Sequence, residues 1–241
     1  EKTEKTEIKE STKVKKELQQ NQVKLGENKI VTIKPWTGKT KKKIRKIFNG
    51  VETPEDIDFV GVIKTLIYDY IDEDVYLNEG EQQYLLVKIR DISLGNDVNI
   101  ISECPICGEE NTIKTITENI LHYKENNLPE KFKNVELVDI PSLKFLETEF
   151  DNFIKDDEYD GITTFSDIES ALHIKIKDKT LKEVINYLDE SPIKDTQEIF
   201  EELRALLPDC DLNYKKVCKN CKEEVEFSID LTEGIFESLM R

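Results

Sequence analysis

Four of the five cysteines fall into two C-x-x-C pairs, Cys104 with Cys107 and Cys218 with Cys221. Two residues between paired cysteines let one tight turn bring both sulfurs to a single ion, and four thiolates complete the tetrahedral shell that zinc prefers. Gly108, directly after Cys107, supplies the permissive backbone position such a turn needs. The equivalent position after Cys221 is Lys222, so the second turn is less ideal. The flanks match as well: CPICGEENTIKTITENI at 104–120 echoes CKNCKEEVEFSIDLTEGI at 218–235, each a cysteine turn followed by an alternating strand. Two matched pairs point to zinc. Unmetallated thiols, disulfides and an iron–sulfur cluster are the competing readings. Four thiolates leave no open position for water or substrate, so the chemistry implied is cross-linking and not Lewis-acid catalysis. Because 111 positions separate Cys107 from Cys218, the ion would clamp both ends of the block between them.

Other chemistry is hard to find. Cys210 stands outside both pairs and reads as a buried or loop thiol, with a substitute ligand as the alternative. His122 and His173 are the only histidines, and each reads as a surface or core residue. Thr37-Gly38-Lys39-Thr40 matches the end of a phosphate-binding loop, but Ile33 stands where that loop needs its first glycine. No Ser/His/Asp or Cys/His arrangement is visible, so no catalytic residue is assigned and the protein is not expected to be an enzyme.

The elements that must position the cysteines are read from periodicity. Residues 29–36 alternate as a short strand ending at Trp36, which reads as a core anchor or an interface anchor. A basic helix is expected over 39–49, with Ile44, Ile47 and Phe48 inward and Lys41, Lys42, Lys43 and Arg45 outward. That basic run fits either a solvated face or contact with an acidic protein partner. Helices follow near 55–71 and 79–91, then a strand at Val98–Ile101 leading into Cys104. Between the cysteine pairs, Ser142, Thr180 with Glu183, and Asp195 with Glu198 mark helix starts, and an acidic loop is expected at 155–161. The expected fold is α+β, mainly helical, with a split four-cysteine zinc ribbon joining two halves of the chain. Its parts are an extended or partner-dependent arm at 1–28, a strand and helices at 29–103, the ribbon at 104–120 and 215–235, a helical insertion at 121–214, and a tail at 236–241.

Composition narrows the function classes. The chain has 241 residues, a net charge of −16, and 36% charged against 37% hydrophobic residues. Ten Phe and eight Tyr favour a folded protein over disorder. The acidic balance disfavours nucleic acid and anionic membranes as partners. No apolar run reaches the 18 residues that a membrane span requires, and no secretory signal is visible.

Three stretches carry a resemblance to a known family. They are KPWTGKTKKKIRKIF at 34–48, DIDFVGVIKTLIYDYI at 56–71 with EQQYLLVKIRDISLGNDVNIISECPICG at 81–108, and TLKEVINYLDESPIKDTQEIFEELRALLPDCDLNYKKVCKNC with EEVEFSIDLTEGIFESL at 180–239. The chain resembles the T4-type bacteriophage baseplate hub family over roughly residues 30–241. The family's di-aromatic end is reduced here to Phe236, with Leu239 nearby, and the first 28 residues carry no match. The resemblance implies a structural or assembly protein of a contractile tail, present in the virion or in host cytoplasm during assembly. It implies other tail and baseplate proteins as partners, no small-molecule substrate, and Cys104, Cys107, Cys218 and Cys221 at the metal-binding positions. A transient assembly chaperone is one alternative. A zinc-ribbon adaptor for nucleic acid or polymerase is another, opposed by the acids Glu109, Glu110, Glu223, Glu224 and Glu226 along the ribbon.

Overall fold

A computed structural model describes residues 21–26, 29–48, 62, 65–125, 130–132, 135–155, 165–176 and 179–229. The expected arm up to residue 20, most of the helix expected at 55–71, nearly all of the acidic loop at 155–161, and the chain from 230 onward lie outside the described residues.

The described residues open with a hairpin, β1 (Gln22–Leu25) and β2 (Lys29–Thr32), followed by the basic helix α1 (Gly38–Phe48). Next comes α2 (Glu79–Leu94), then the antiparallel pair β3 (Asp97–Glu103) and β4 (Glu110–Ile116). Strand β5 (Leu121–Lys124) follows, then β6 (Lys131–Phe132) and β7 (Val135–Leu137). Three elements come next: α3 (Leu143–Ile154), α4 (Phe165–Leu172) and β8 (Ile174–Lys175). Two further helices, α5 (Leu181–Glu190) and α6 (Ile193–Leu206), precede β9 (Asp209–Val217) and β10 (Glu224–Ser228). The sheets are β1-β2, β3-β4, β10-β9-β5 and β6-β7-β8.

The mainly helical expectation is thereby corrected. Of the described residues 46% are helical and 27% lie in strands, with six α-helices and several sheets. Five strands fall inside the block expected to be a helical insertion. Three of them are only two or three residues long, too short to show a period. The fourth, β9, does alternate, with Cys210 and Leu212 buried, but it follows a strong helical run and Pro208. The expected split ribbon is not established either. The two cysteine segments do not share a sheet: β3 and β4 form one of their own, whereas β9 and β10 form another with β5.

Two apolar cores account for the packing. The larger gathers β1, β2, α1, α2 and both cysteine hairpins around side chains such as Ile44, Leu85, Ile89, Ile113 and Phe227. The smaller gathers the helices α3 to α6 over Ile168, Val184, Leu188 and Leu203. Between them lie Tyr76, Ile140 and Leu146. Polar groups bridge the same seam. The Tyr76 hydroxyl donates to Glu169 at 2.5 Å, and the buried His173 ring lies edge-on to Tyr76 with its Nδ1 3.0 Å from the Val138 carbonyl. Burial lowers the pKa of His173, so this histidine is a core residue. His122 is exposed on β5.

Helix α2 is the pillar on which both cysteine segments rest. Its start is fixed by a capping box in which the Asn78 side chain accepts from the Glu81 amide and Glu81 accepts from the Asn78 amide. The same buried Glu81 carboxylate receives the Lys29 ammonium at 2.7 Å, tying the first hairpin to the helix. One residue earlier, Gly80 lets β9 approach. A Cβ there would stand 2.5 Å from the Asp209 Cα and 2.6 Å from the Pro208 carbonyl oxygen. At the far end, Gly95 closes the helix at φ 92°, and the Arg90 guanidinium donates to the carbonyls of Gly95 and Asp97, each at 2.8 Å. The Thr117 hydroxyl donates to Asp91 at 2.7 Å and holds the end of β4 to the same turn. Trp36 is buried against this region, its indole N–H donating to the Leu66 carbonyl.

Candidate metal centre

Each cysteine pair sits in the turn of a hairpin, and the two turns share one backbone frame. In the first, the Cys104 amide donates to the Glu109 carbonyl at 2.9 Å and the Gly108 amide donates back to the Cys104 carbonyl at 2.8 Å. In the second, the Cys218 amide donates to Glu223 at 2.9 Å and the Lys222 amide donates to Cys218 at 3.2 Å. Both turns need a left-handed residue right after the second cysteine. Gly108 takes φ 70° and Lys222 takes φ 64°. The glycine expected to ease the first turn does so, and the lysine is held in the same conformation at a steric cost.

The fold brings all four sulfurs of the two pairs together. They lie within 4.8 Å of one another, with Cys104 to Cys221 at 3.9 Å and Cys107 to Cys218 at 3.7 Å. These separations are far beyond the ~2.05 Å of a disulfide bond, and none of the five cysteines is disulfide-bonded. Four thiolates around one ion with metal–sulfur bonds of about 2.3 Å would stand about 3.8 Å apart along each tetrahedral edge. The sulfur set therefore fits a metal ion of that bond length. Cys104 and Cys218, the first of each pair, are buried, whereas Cys107 is exposed and Cys221 intermediate.

Residues around the sulfurs tune them. Burial works to raise the Cys218 thiol, but the backbone amides of Asn220 and Cys221 and the Asn111 side chain outweigh it and bring the pKa down to about 6. Cys107 is lowered by the Glu109 amide and the Asn220 side chain. At Cys221 the Glu223 amide pulls down, while burial and the three other sulfurs push harder the other way, to about 11. Four crowded thiolates repel one another, so a cation among these sulfurs would relieve that repulsion.

Sequence reasoning missed the residue that joins the two turns. Asn111, almost fully buried, donates from its amide to the Glu109 carbonyl at 2.8 Å and to the Cys218 sulfur at 3.5 Å. Its carbonyl oxygen accepts from the Lys219 amide at 3.0 Å. Lys219 closes the same seam with a 2.8 Å ion pair to Glu109. Only a side chain with a donor and an acceptor at one end can serve both turns, and an asparagine four residues after a cysteine gives no such signal in sequence. The fifth thiol, Cys210, is no part of the cluster. It is buried on β9 opposite Tyr123, where burial and then the charges of Asp209 and Asp211 push it up to about 12.

A family model described as T4 bacteriophage base plate protein matches residues 11–237. The chain belongs to this family. The match spans both cysteine turns, α2 and the helical body of this base plate protein. Membership makes it a structural component of a phage tail base plate and implies contact with other tail proteins. No curated protein and no solved structure matches the chain. Among the described residues, no helix of this base plate protein is long and apolar enough to cross a membrane.

Proposed function

We propose that the protein is a non-catalytic component of the baseplate hub, that Cys104, Cys107, Cys218 and Cys221 hold one structural zinc ion, and that it acts by binding neighbouring tail proteins. The observation that carries the metal is the sulfur spacing, 3.7 and 3.9 Å across the two turns, at the edge length four thiolates take around zinc. All four ligands come from the chain, so no position is left for substrate, in keeping with a family of structural proteins. Zinc here binds residues that the unfolded chain holds 111 positions apart, so its binding energy adds to folding.

The test is elemental analysis of the purified full chain together with mass spectrometry of purified tails. One zinc per chain and a fixed copy number in mature tails are expected. Iron in place of zinc, or a metal content well below one per chain, would overturn the zinc. Presence in assembly intermediates with absence from mature tails would replace the hub component by an assembly chaperone.

A further inference from the structure

The first cysteine hairpin has a strand edge that nothing closes among the described residues. In an antiparallel pair, alternate residues aim their N–H and C=O groups at the partner strand, and the residues between them aim theirs away. Three bonds fix which set is which in β3. The Cys104 amide donates to the Glu109 carbonyl and the Thr117 amide to the Asn96 carbonyl, so the even-numbered residues of β3 bond β4. The Arg90 guanidinium reaches the Asp97 carbonyl from outside the ladder, so the odd-numbered residues face away. The same alternation turns the Thr112 carbonyl outward on β4, where the Lys216 ammonium donates to it at 2.7 Å.

The N–H and C=O groups of Asn99, Ile101 and Glu103 therefore line the outer edge of β3. They have no hydrogen-bond partner among the described residues. The side chains of all three are exposed, Ile101 at 68%. A large aliphatic side chain on an unpaired edge is what natural sheets usually avoid. Glu103 is also poorly matched. It stands directly opposite Glu110, both are exposed, and neither forms an ion pair among the described residues. Like charges so placed destabilise a strand pair.

We propose that the β3 edge from Asn99 to Glu103 receives an extended segment of another protein as a third strand, with a lysine or arginine opposite Glu103 and a β-branched or aliphatic residue opposite Ile101. Main-chain pairing satisfies the open N–H and C=O groups and gives affinity, and the alternate side chains give specificity. A cation beside Glu103 offsets the repulsion from Glu110, and an apolar neighbour covers Ile101. A second copy of this chain does not meet these terms. The outward residues Asp97, Asn99, Ile101 and Glu103 include no cation, so no register of β3 on itself brings one to Glu103. Two chains at −16 each also repel. The edge is a surface through which the protein would bind its tail neighbours, so its assignment rests on that reading of the function.

Amide exchange followed by NMR on the purified full chain tests this. The probe is a cyclic β-hairpin peptide whose open strand reads Lys-Thr-Val-Thr-Thr, cyclised because a preorganised strand loses less entropy on docking. In the free protein the amides of Asn99, Ile101 and Glu103 should exchange fast and those of Val98 and Ser102 slowly. The hairpin, at about millimolar concentration, should protect the three edge amides. Ile101→Pro removes an edge donor but no bond to β4, and should weaken binding at least about tenfold. Glu103→Lys should lose the lysine hairpin and take up one with glutamate in the lysine's place, and this charge swap reads the edge even where the proline variant melts early. Edge amides already slow in the dilute free chain, or slowed by raising the protein concentration alone, overturn the proposal in favour of the chain itself or a second copy. Edge amides unmoved by the hairpin, or hairpin binding unchanged in both variants, overturn it as well. Tails that hold the protein at fixed copy number alongside any of these results would remove the edge and leave the tail role standing.

Discussion

The two cysteine turns are cut to one pattern and mounted on different supports. Both use the same pair of backbone hydrogen bonds, the same left-handed position and a buried first cysteine. The first turn tops a hairpin that has no third strand among the described residues, held at its base by Arg90 and Asp91 of α2. The second tops a hairpin whose longer strand also pairs with β5 and packs against the start of α2 at Gly80. The first turn is thus locally easy and weakly backed, and the second locally strained and strongly backed. Asn111 and the Lys219–Glu109 pair are the joints that make them one unit. A left-handed lysine is tolerated only where the surrounding sheet already determines the turn.

The largest effect should come from removing what the turns share. Cys104→Ser and Cys218→Ser should each lose the metal, at a cost on the order of 10 kcal/mol of metal-linked folding energy. Both variants should lose the larger core while the smaller helical core keeps part of its helix signal. Metal content and circular dichroism read this, and a wild-type melt in either variant would break the equivalence of the two turns.

Gly80→Ala acts on one support alone. Its Cβ meets backbone of Asp209 and Pro208 and not a flexible side chain, so β9 must shift, at about 1–3 kcal/mol. Amide exchange should rise through β9 and the second turn before it rises in β3 and β4. Uniform acceleration in both hairpins would show that the turns do not have separate supports.

Asn111→Ala removes the joint. It leaves the partly buried Lys219 amide short of a partner, at about 1–3 kcal/mol, and it withdraws one of two donors from the Glu109 carbonyl and one from the Cys218 sulfur. Chelator titration should strip the variant's metal at lower chelator concentration than wild type. An unchanged titration would reduce Asn111 to a spectator.

The smallest effect compares the left-handed positions directly. Lys222→Gly should raise stability by about 1 kcal/mol, and Gly108→Ala should lower it by a similar amount. Nothing lies within 4 Å of a Cβ at Gly108, so the second cost is conformational alone. Thermal melts of the two variants and their combination should show opposite shifts that nearly cancel. Shifts of the same sign would mean that the Lys222 side chain, which donates to the Lys219 carbonyl at 2.5 Å, contributes more than its backbone strain costs.

These contrasts also explain what could be read from sequence. The cysteine spacing is a local signal, and the sulfurs meet as that spacing implied. Helix α2, with its capping box, starts where its apolar period begins, and α5 with Thr180 and Glu183 does likewise. The strands were harder. Strands β6 and β7 pair locally, Phe132 with Val135, and β8 pairs with β7 across 39 positions; all three are only two or three residues long, too short for local preference to mark them. For β9, the strand role comes from β5 and β10 on its two sides; the alternation of β10 was legible after Cys221, whereas β5 lies far earlier in the chain and gave no such signal. Asn111 and Gly80 were invisible for the same reason: each matters only because a distant backbone arrives beside it.

The 111-residue gap between Cys107 and Cys218 also sets a clock. At about 5–20 residues per second, the ribosome needs roughly 5 to 20 seconds to make the second half of the ligand set after the first has been made. During that interval Cys104 and Cys107 are a two-thiol half-site, able to take a metal loosely or to be oxidised. Only a chain translated through Cys221 can bring the four sulfurs together, so a filled cage would report that both turns have been made and have met.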